Sequence, residues 1–185
     1  ETRGYQTFRI DREGHKGGVL TLVRNGIPTK QMEGTKGNPG AVEIIGVQIT
    51  CKDIQIILYN LYCPSYTPLS LETMNISENS CIVVGDFNSR SERWGYSETN
   101  SRGVEVEDWE IENNLFLINA PDDPPTFYSR TWHTTSTPDL AFATSDISTK
   151  VVRTVTHQLG DSDHRPVKLQ VDLNFVPEPK MWLPR

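Results

Sequence analysis

Short apolar runs broken by glycine, proline, asparagine and aspartate recur along the chain. Residues 17–25 (GGVLTLVRN), 41–50 (AVEIIGVQIT) and 53–62 (DIQIILYNLY) are rich in valine and isoleucine with turn residues between them, which predicts three strands. Further strands are expected at 81–87 (CIVVGDF), 137–144 (TPDLAFAT) and 164–173 (HRPVKLQVDL), and 121–130 (PDDPPTFYSR) reads as a loop running into an edge strand. Residues 101–119 read as one helix followed by a short strand. Val104, Ile111 and Leu115 recur at helical spacing, Glu105, Glu107, Glu110 and Glu112 mark a wet side, and Ser101 is placed to cap. Residues 67–80 hold few apolar positions and predict a turn or two of helix at most. The stretch 33–40 (EGTKGNPG) lacks the Gly-Lys-Ser/Thr ending of a phosphate-binding loop and reads as a flexible turn. Many strands with few helices predict a layered α/β or α+β sandwich.

The strand ends are less ordinary than the strands. In IVVGDFN (82–88), alternation along a strand sends Asp86 and Asn88 out together and turns Phe87 into the core. Two oxygen-bearing groups at one strand end suit a hard cation or a phosphate ester; Gly-Asp and Asn-Ser are equally the chemistry of a capped turn. In YNLYCPSY (59–66), Pro64 stops the ladder and leaves Tyr62 at a strand end, a half-buried aromatic with a wet hydroxyl on the plainest reading. Asp139 stands at the entrance of an apolar strand, where a charge is costly unless paired. In GDSDHRPV (160–167), Asp163 and His164 lie side by side in a loop that feeds a strand, and Asp139 is a second acid able to orient the imidazole. His15, His133 and His157 lack such neighbours and read as structural.

Composition narrows the classes. With 185 residues, 36% hydrophobic and 23% charged, the chain can bury the core of one domain. No apolar run approaches the roughly 20 residues of a membrane-spanning helix. The start, Glu1-Thr2-Arg3, has no apolar region behind it and no initiator Met, so we expect an excised or processed segment without a signal peptide. Cys51, Cys63 and Cys81 are widely spaced in apolar runs and are expected to be reduced, buried thiols. The net charge of −6 argues against binding nucleic acid by bulk electrostatics, and leaves room for a nuclease that gathers carboxylates around a cation.

GDFN at 85–88, TPDLAF at 137–142 and SDHRPV at 162–167 fall in that order, each at a strand end, with NLYCP upstream at 60–64. Together they resemble the endonuclease/exonuclease/phosphatase superfamily. Within it, WGYSETNSRG (94–103) and PPTFYSRTWHTTSTPDLAFAT (124–144) are most similar to the apurinic-type endonuclease domain of arthropod-type non-LTR retrotransposons. The resemblance implies a four-layered αββα sandwich, two packed mixed sheets flanked by helices, over residues 1–175, with 176–185 as a Pro-rich tail or linker. It implies a DNA endonuclease dependent on Mg2+ or Mn2+, nicking to leave a 3′-hydroxyl that primes reverse transcription. A reverse transcriptase domain is then expected C-terminally in a longer polyprotein, with action in the nucleus and residence otherwise in the cytoplasm.

By the same resemblance, Asp86 takes a proton from or positions the attacking water, and Asn88 holds that water or the phosphate. His164 binds the scissile phosphate, Asp139 orients His164, and Tyr62 serves the phosphate or the leaving oxygen. Asp163 supports the metal or its water shell, and Thr126 and Ser162 contact DNA or phosphate. The family opens with a strand, a helix and a Gln-Glu strand whose glutamate is the main metal ligand. The first strand and helix are expected to be missing from this sequence, and Glu1-Thr2 resembles the end of the Gln-Glu strand, which makes Glu1 the ligand candidate. Two alternatives stay open: a non-catalytic remnant that binds nucleic acid, and a phosphoesterase of the same fold with another substrate.

Overall fold

The computed structural model describes residues 2–11, 18–32, 41–51, 54–76, 80–157 and 161–173. The chain runs β1 (Tyr5–Ile10), β2 (Val19–Arg24), β3 (Thr29–Gln31), β4 (Glu43–Cys51), β5 (Ile54–Tyr62), β6 (Cys81–Asp86), α1 (Ser101–Glu112), β7 (Leu115–Leu117), β8 (Phe127–Ser129), β9 (Thr134–Ser136), β10 (Asp139–Thr144), β11 (Val151–Val155) and β12 (Val167–Val171). A mixed sheet in the order β3-β4-β5-β6-β10-β7 is the centre, parallel only between β5 and β6. The pairs β1-β2, β11-β12 and β8-β9 form separate antiparallel hairpin sheets.

Alternation along the central strands divides the core in two. One face carries Ile44, Ile57, Tyr59, Val83, Leu140 and Phe142, covered by Val106, Trp94 and the loop residues Leu71, Met74 and Ile76. The other face carries Ile45 and Val47 under the β1-β2 hairpin, and Ile56, Ile82 and Ala143 under the β11 side. This is the expected α/β sandwich. Among the described residues the helical elements are α1 and a short 3-10 turn, Glu92–Trp94, on the first face, and a second 3-10 turn, Ser148–Lys150, before β11. No described helix is long and apolar enough to cross a membrane.

Helix α1 presents a different face from the one its hydrophobicity predicts. Gly103, Val106 and Glu110 are buried, whereas Val104 and Ile111 are exposed. A Cβ on Gly103 would stand 1.9 Å from the Arg90 carbonyl oxygen, so the glycine brings the helix against the loop after β6. Glu110 is tolerated inside because Arg93 pairs with it and the Leu117 N–H donates to it at 2.9 Å. The cap is Asn100, whose Oδ1 accepts from the Gly103 N–H at 2.8 Å; Ser101 is the first helical residue. One further expectation is corrected. Cys51 is exposed, because it ends β4 beyond the core; Cys63 and Cys81 are free and buried. The described part of 67–80 holds a single turn at 72–73 and no helix, in line with its few apolar positions. Strands β1, β3, β9 and β11 have no counterpart among the predicted elements, and the loop 33–40, the tail 176–185 and His15 lie outside the described residues.

Gly85 prepares the end of β6. Its φ is +152°, and a Cβ there would lie 2.0 Å from the Leu61 carbonyl oxygen. Gly85→Ala should therefore cost at least about 3 kcal/mol in urea unfolding, since backbone must move. Gly26→Ala is the control: nothing stands within 4 Å of its Cβ position, and only the positive φ opposes it, at about 1–2 kcal/mol.

Candidate active site

Three strand ends meet in register. Tyr62 of β5 pairs with Asp86 of β6, and Asp86 pairs with Asp139 of β10, so one cross-sheet row reads Tyr62, Asp86, Asp139. The end of β6 is fastened on both sides: the Cys63 N–H donates to the Asp86 carbonyl at 2.8 Å, and the Phe87 N–H to the Pro138 carbonyl at 3.0 Å. Phe87 is fully buried. The chain then turns at Asn88 in the left-handed region, φ +46°. Asp86 Oδ1 accepts from the Asn88 N–H at 2.9 Å, and Asn88 Nδ2 donates to the Cys63 carbonyl at 3.1 Å. The capped turn is thus real, and it is also what aims Asp86 and Asn88.

His164 reaches this row from the far end of the chain. Its segment is zipped to β8 and the residue before it by the Tyr128 N–H to the Asp163 carbonyl, 2.8 Å, and the Arg165 N–H to the Thr126 carbonyl, 2.7 Å. The His164 ring meets the Phe127 ring edge-on at 5.0 Å. Its Nδ1 lies 2.9 Å from Asp139 Oδ2, which leaves Nε2 as the outward nitrogen. The same carboxylate oxygen accepts from Thr126 Oγ1 at 2.5 Å. Thr126, expected to touch DNA or phosphate, is fully buried and holds Asp139 instead. Ser162 is exposed, and its Oγ accepts from the His164 N–H at 3.0 Å.

A cavity of about 490 Å3 opens over these groups, lined by Asp86, Asn88 and His164 together with Arg90, Tyr96 and Arg102. The last three were not among the sequence candidates. Arg90 stands two residues past Asn88 and stacks over Tyr96 at 6.0 Å. Arg102, in the first turn of α1, donates to the carbonyls of Pro64 at 2.9 Å and Ser65 at 3.2 Å, and to that of Thr67, pinning the loop that follows Tyr62. The only sequence signal was an arginine at each end of the polar stretch between GDFN and the helix. Tyr62 and Asp163 do not line the cavity. Tyr62 packs beside the Val19 and Val47 cluster, and Asp163 is exposed.

The electrostatics follow from this crowding. Burial first, then the Asp139 charge, raises Asp86 to about 6, with Asn88 and His164 opposing. The hydrogen bond to Asp139 raises His164 above the ordinary histidine value against the pull of burial, and the charges of Asp139, Asp86 and Asp163 add to it. The Asp86 carboxylate, only partly compensated and lining a polar cavity, fits a share in holding a hard divalent cation. Among the described residues, no three His, Cys, Asp or Glu side chains form a metal cage. Mg2+ held by one or two carboxylates, water and a substrate phosphate requires none. Glu1, the expected principal ligand, lies outside the described residues.

A family model described as endonuclease-reverse transcriptase matches residues 56–168, more than half of the chain. Among solved structures, the endonuclease domain of TRAS1, a telomere-specific non-LTR retrotransposon, is 22% identical with a TM-score of 0.76, over 94% of this chain and 82% of that one. The AP endonuclease LMAP of Leishmania major is 16% identical with a TM-score of 0.67, over 90% and 70%. A mannosyl-6-phosphatase of Bacteroides thetaiotaomicron is 15% identical with a TM-score of 0.55, over 92% and 78%. These likenesses show the shared endonuclease/exonuclease/phosphatase fold. No curated protein matches the sequence.

Asp86 has a consequence for stability. Its folded pKa, about 6, is above the ordinary 3.8, so the folded state binds the proton more tightly. Stability is therefore lost as pH rises through that interval and stays lower above it. Asp86→Asn, which keeps the acceptor for the Asn88 N–H, should raise stability at about pH 8 by about 1–2 kcal/mol and have little effect near pH 4. Thermal unfolding of the two proteins at both pH values checks this, and a destabilised variant at the higher pH would contradict the charge argument.

Proposed function

The chain belongs to the endonuclease-reverse transcriptase family, and from that premise we propose that it is a metal-dependent DNA endonuclease that nicks one strand and leaves a 3′-hydroxyl. The supporting observation is Asp139 Oδ2 holding His164 Nδ1 at 2.9 Å in the strand-end row that also carries Asp86. In-line hydrolysis of a phosphodiester forms a bond from water oxygen to phosphorus and breaks the bond to the 3′-oxygen, which leaves as the hydroxyl. Such chemistry is mostly positioning and charge stabilisation.

Each side chain has a defined part. Protonated His164 donates from Nε2 to a non-bridging oxygen and offsets the charge that develops there. Asp139 fixes its tautomer and favours the cation. Asp86, ionised above about pH 6, accepts a proton from the attacking water. Asn88, with one amide hydrogen engaged by Cys63, offers the rest of its amide to the water or the phosphate. Tyr62, next to Asp86 in the row, serves the phosphate or the departing 3′-oxygen. Ser162 presents its hydroxyl beside His164. Asp86, with Asp163 and Glu1, would hold Mg2+ or Mn2+, which supplies Lewis-acid stabilisation of phosphoryl charge. Arg90 and Arg102 provide local positive charge on a chain whose net charge is −6. DNA is the substrate on this reading, and the exposed 3′-end is the primer for a reverse transcriptase joined to the same polyprotein.

The phosphatase among the fold neighbours supports a second reading, a phosphomonoesterase acting on a smaller ester. Supercoiled plasmid with Mg2+, set beside a sugar phosphate, separates the two. Nicked circles with a primer-extendable end are expected. Release of inorganic phosphate with intact plasmid would favour the second reading, and no turnover of either would favour a binding remnant.

His164→Ala and Asp86→Ala should each reduce nicking at least ~10²-fold while the protein stays folded, as expected for loss of a positioned phosphate-binding or acid–base group. Full activity in either refutes its role. Asp139→Asn removes the cause that raises His164, so the imidazole loses its proton at lower pH. Its activity should fall mainly at neutral and higher pH, with less loss near about pH 6. Nicking rates across that range test this, and an unchanged pH profile would remove Asp139 from the scheme.

A further inference from the structure

Arg153, on β11, is buried on the side of Asp139 away from the substrate cavity. Its side chain is 2% exposed, yet it takes no part in lining that cavity. One guanidinium nitrogen pairs with Asp123 at 2.6 Å and the other donates to the Asp139 carbonyl at 3.3 Å. Asp123 also accepts from the Ala120 N–H at 3.0 Å, closing the turn that begins the loop carrying Thr126. The guanidinium therefore ties two pieces of chain together: the loop that supplies Thr126 and the first residue of β10.

We propose that Arg153 is a positioning residue for His164, acting through the Asp123 loop, Thr126 and Asp139. The chain of contacts is continuous. Arg153 holds Asp123 and the Asp139 backbone, Thr126 Oγ1 holds Asp139 Oδ2, and Asp139 Oδ2 holds His164 Nδ1.

Packing does not do this work unaided. A cavity of about 380 Å3 lies under the start of β10, lined by Asp139, Arg153 and apolar residues including Leu58, Val84 and Val167. On that side, two polar tethers hold the Asp139 carbonyl, from Arg153 and from Asn119 Nδ2 at 3.1 Å. Stability does not account for the arginine either. Arg153 Nε is buried without a hydrogen-bond partner among the described residues, and burial draws the guanidinium below its ordinary pKa. Buried ion pairs with incomplete satisfaction are often matched by well-packed apolar side chains. What an apolar residue cannot supply is the fork that reaches Asp123 and Asp139 at once.

The proposal rests on the reading of Asp139 and His164 as the functional pair, so its test reads the ring directly. Nitrogen-15 shifts of ring-labelled histidine, with His164 assigned by His164→Ala, report which nitrogen is protonated when the ring is neutral, at about pH 9. The parent should show Nδ1–H, the tautomer that Asp139 accepts. In Arg153→Met, Nε2–H should appear beside it, because a ring released from Asp139 reverts toward the tautomer free imidazole prefers. Nicking should lose about tenfold or more in kcat, with KM within about twofold, as for a small misplacement of a catalytic group. Arg153→Lys should recover little, since a point charge does not reproduce the fork. Should Arg153→Met not fold, Asp123→Asn at a partly exposed position carries the same measurement and the same expectation. An unaltered His164 tautomer in the folded variant overturns the proposal, whatever its nicking rate. A parent chain that nicks nothing overturns the functional reading alone, and the nitrogen spectrum still decides this one.

Discussion

Two carboxylates stand abreast on adjacent antiparallel strands, Asp86 on β6 and Asp139 on β10. Like charges directly opposite one another in a sheet repel, and here both are partly withdrawn from water. Much of the surrounding structure answers that repulsion. His164 and Thr126 converge on one oxygen of Asp139. The Asn88 N–H turns back onto Asp86. Arg153 approaches from beneath. The compensation is partial: burial first, and the Asp139 charge second, still raise Asp86 to about 6. On the proposed reading, a site left short of positive charge in this way would suit a divalent cation and a phosphate together, and the same repulsion is a cost to the fold.

The two faces of the central sheet have different duties. The face under α1 is an aromatic and aliphatic core, where Phe142 meets Phe87 and Trp109 edge-on at 5.4 Å and Phe87 and Trp109 lie tilted to each other at 6.1 Å. That packing anchors the residue between Asp86 and Asn88, so the two polar groups leave from a fixed point. The opposite face is covered by two hairpins, and one of them, β11-β12, delivers both Arg153 and the approach to His164. The cavity lies at the strand ends, where the loops after β5 and β6 are drawn to the start of α1 by Arg102 and Asn100. Rigid strands below and tethered loops above are the arrangement that phosphoryl chemistry needs, because so much of its barrier is a matter of placement.

Much of this was legible in the linear sequence. The strands carrying Tyr62, Asp86 and Asp139 announced themselves by short apolar runs with turn residues at their ends, isoleucine- or valine-rich in the first two and Leu-Ala-Phe-Ala in the third, because strand patterning is a local property. Family motifs at those ends identified the fold class. Other features depended on contacts distant in the chain. Helix α1 was assigned the wrong buried face because burial there was decided by a glycine against Arg90 and a glutamate paired with Arg93, and hydrophobicity carries no record of either partner. Thr126 was expected at the substrate and is buried, since only the closure of its loop onto β10 shows which way its hydroxyl points. Arg90, Arg102 and Arg153 were invisible as site residues: an arginine in a sequence is a surface charge until its partners are known. The sequence by itself determined which strands form and which polar residues end them. The tertiary structure alone decided their register, and with it the meeting of Asp86, Asp139 and His164, because residues so far apart in the chain are brought within hydrogen-bond reach only by the packing of sheets and loops that each of them influences weakly.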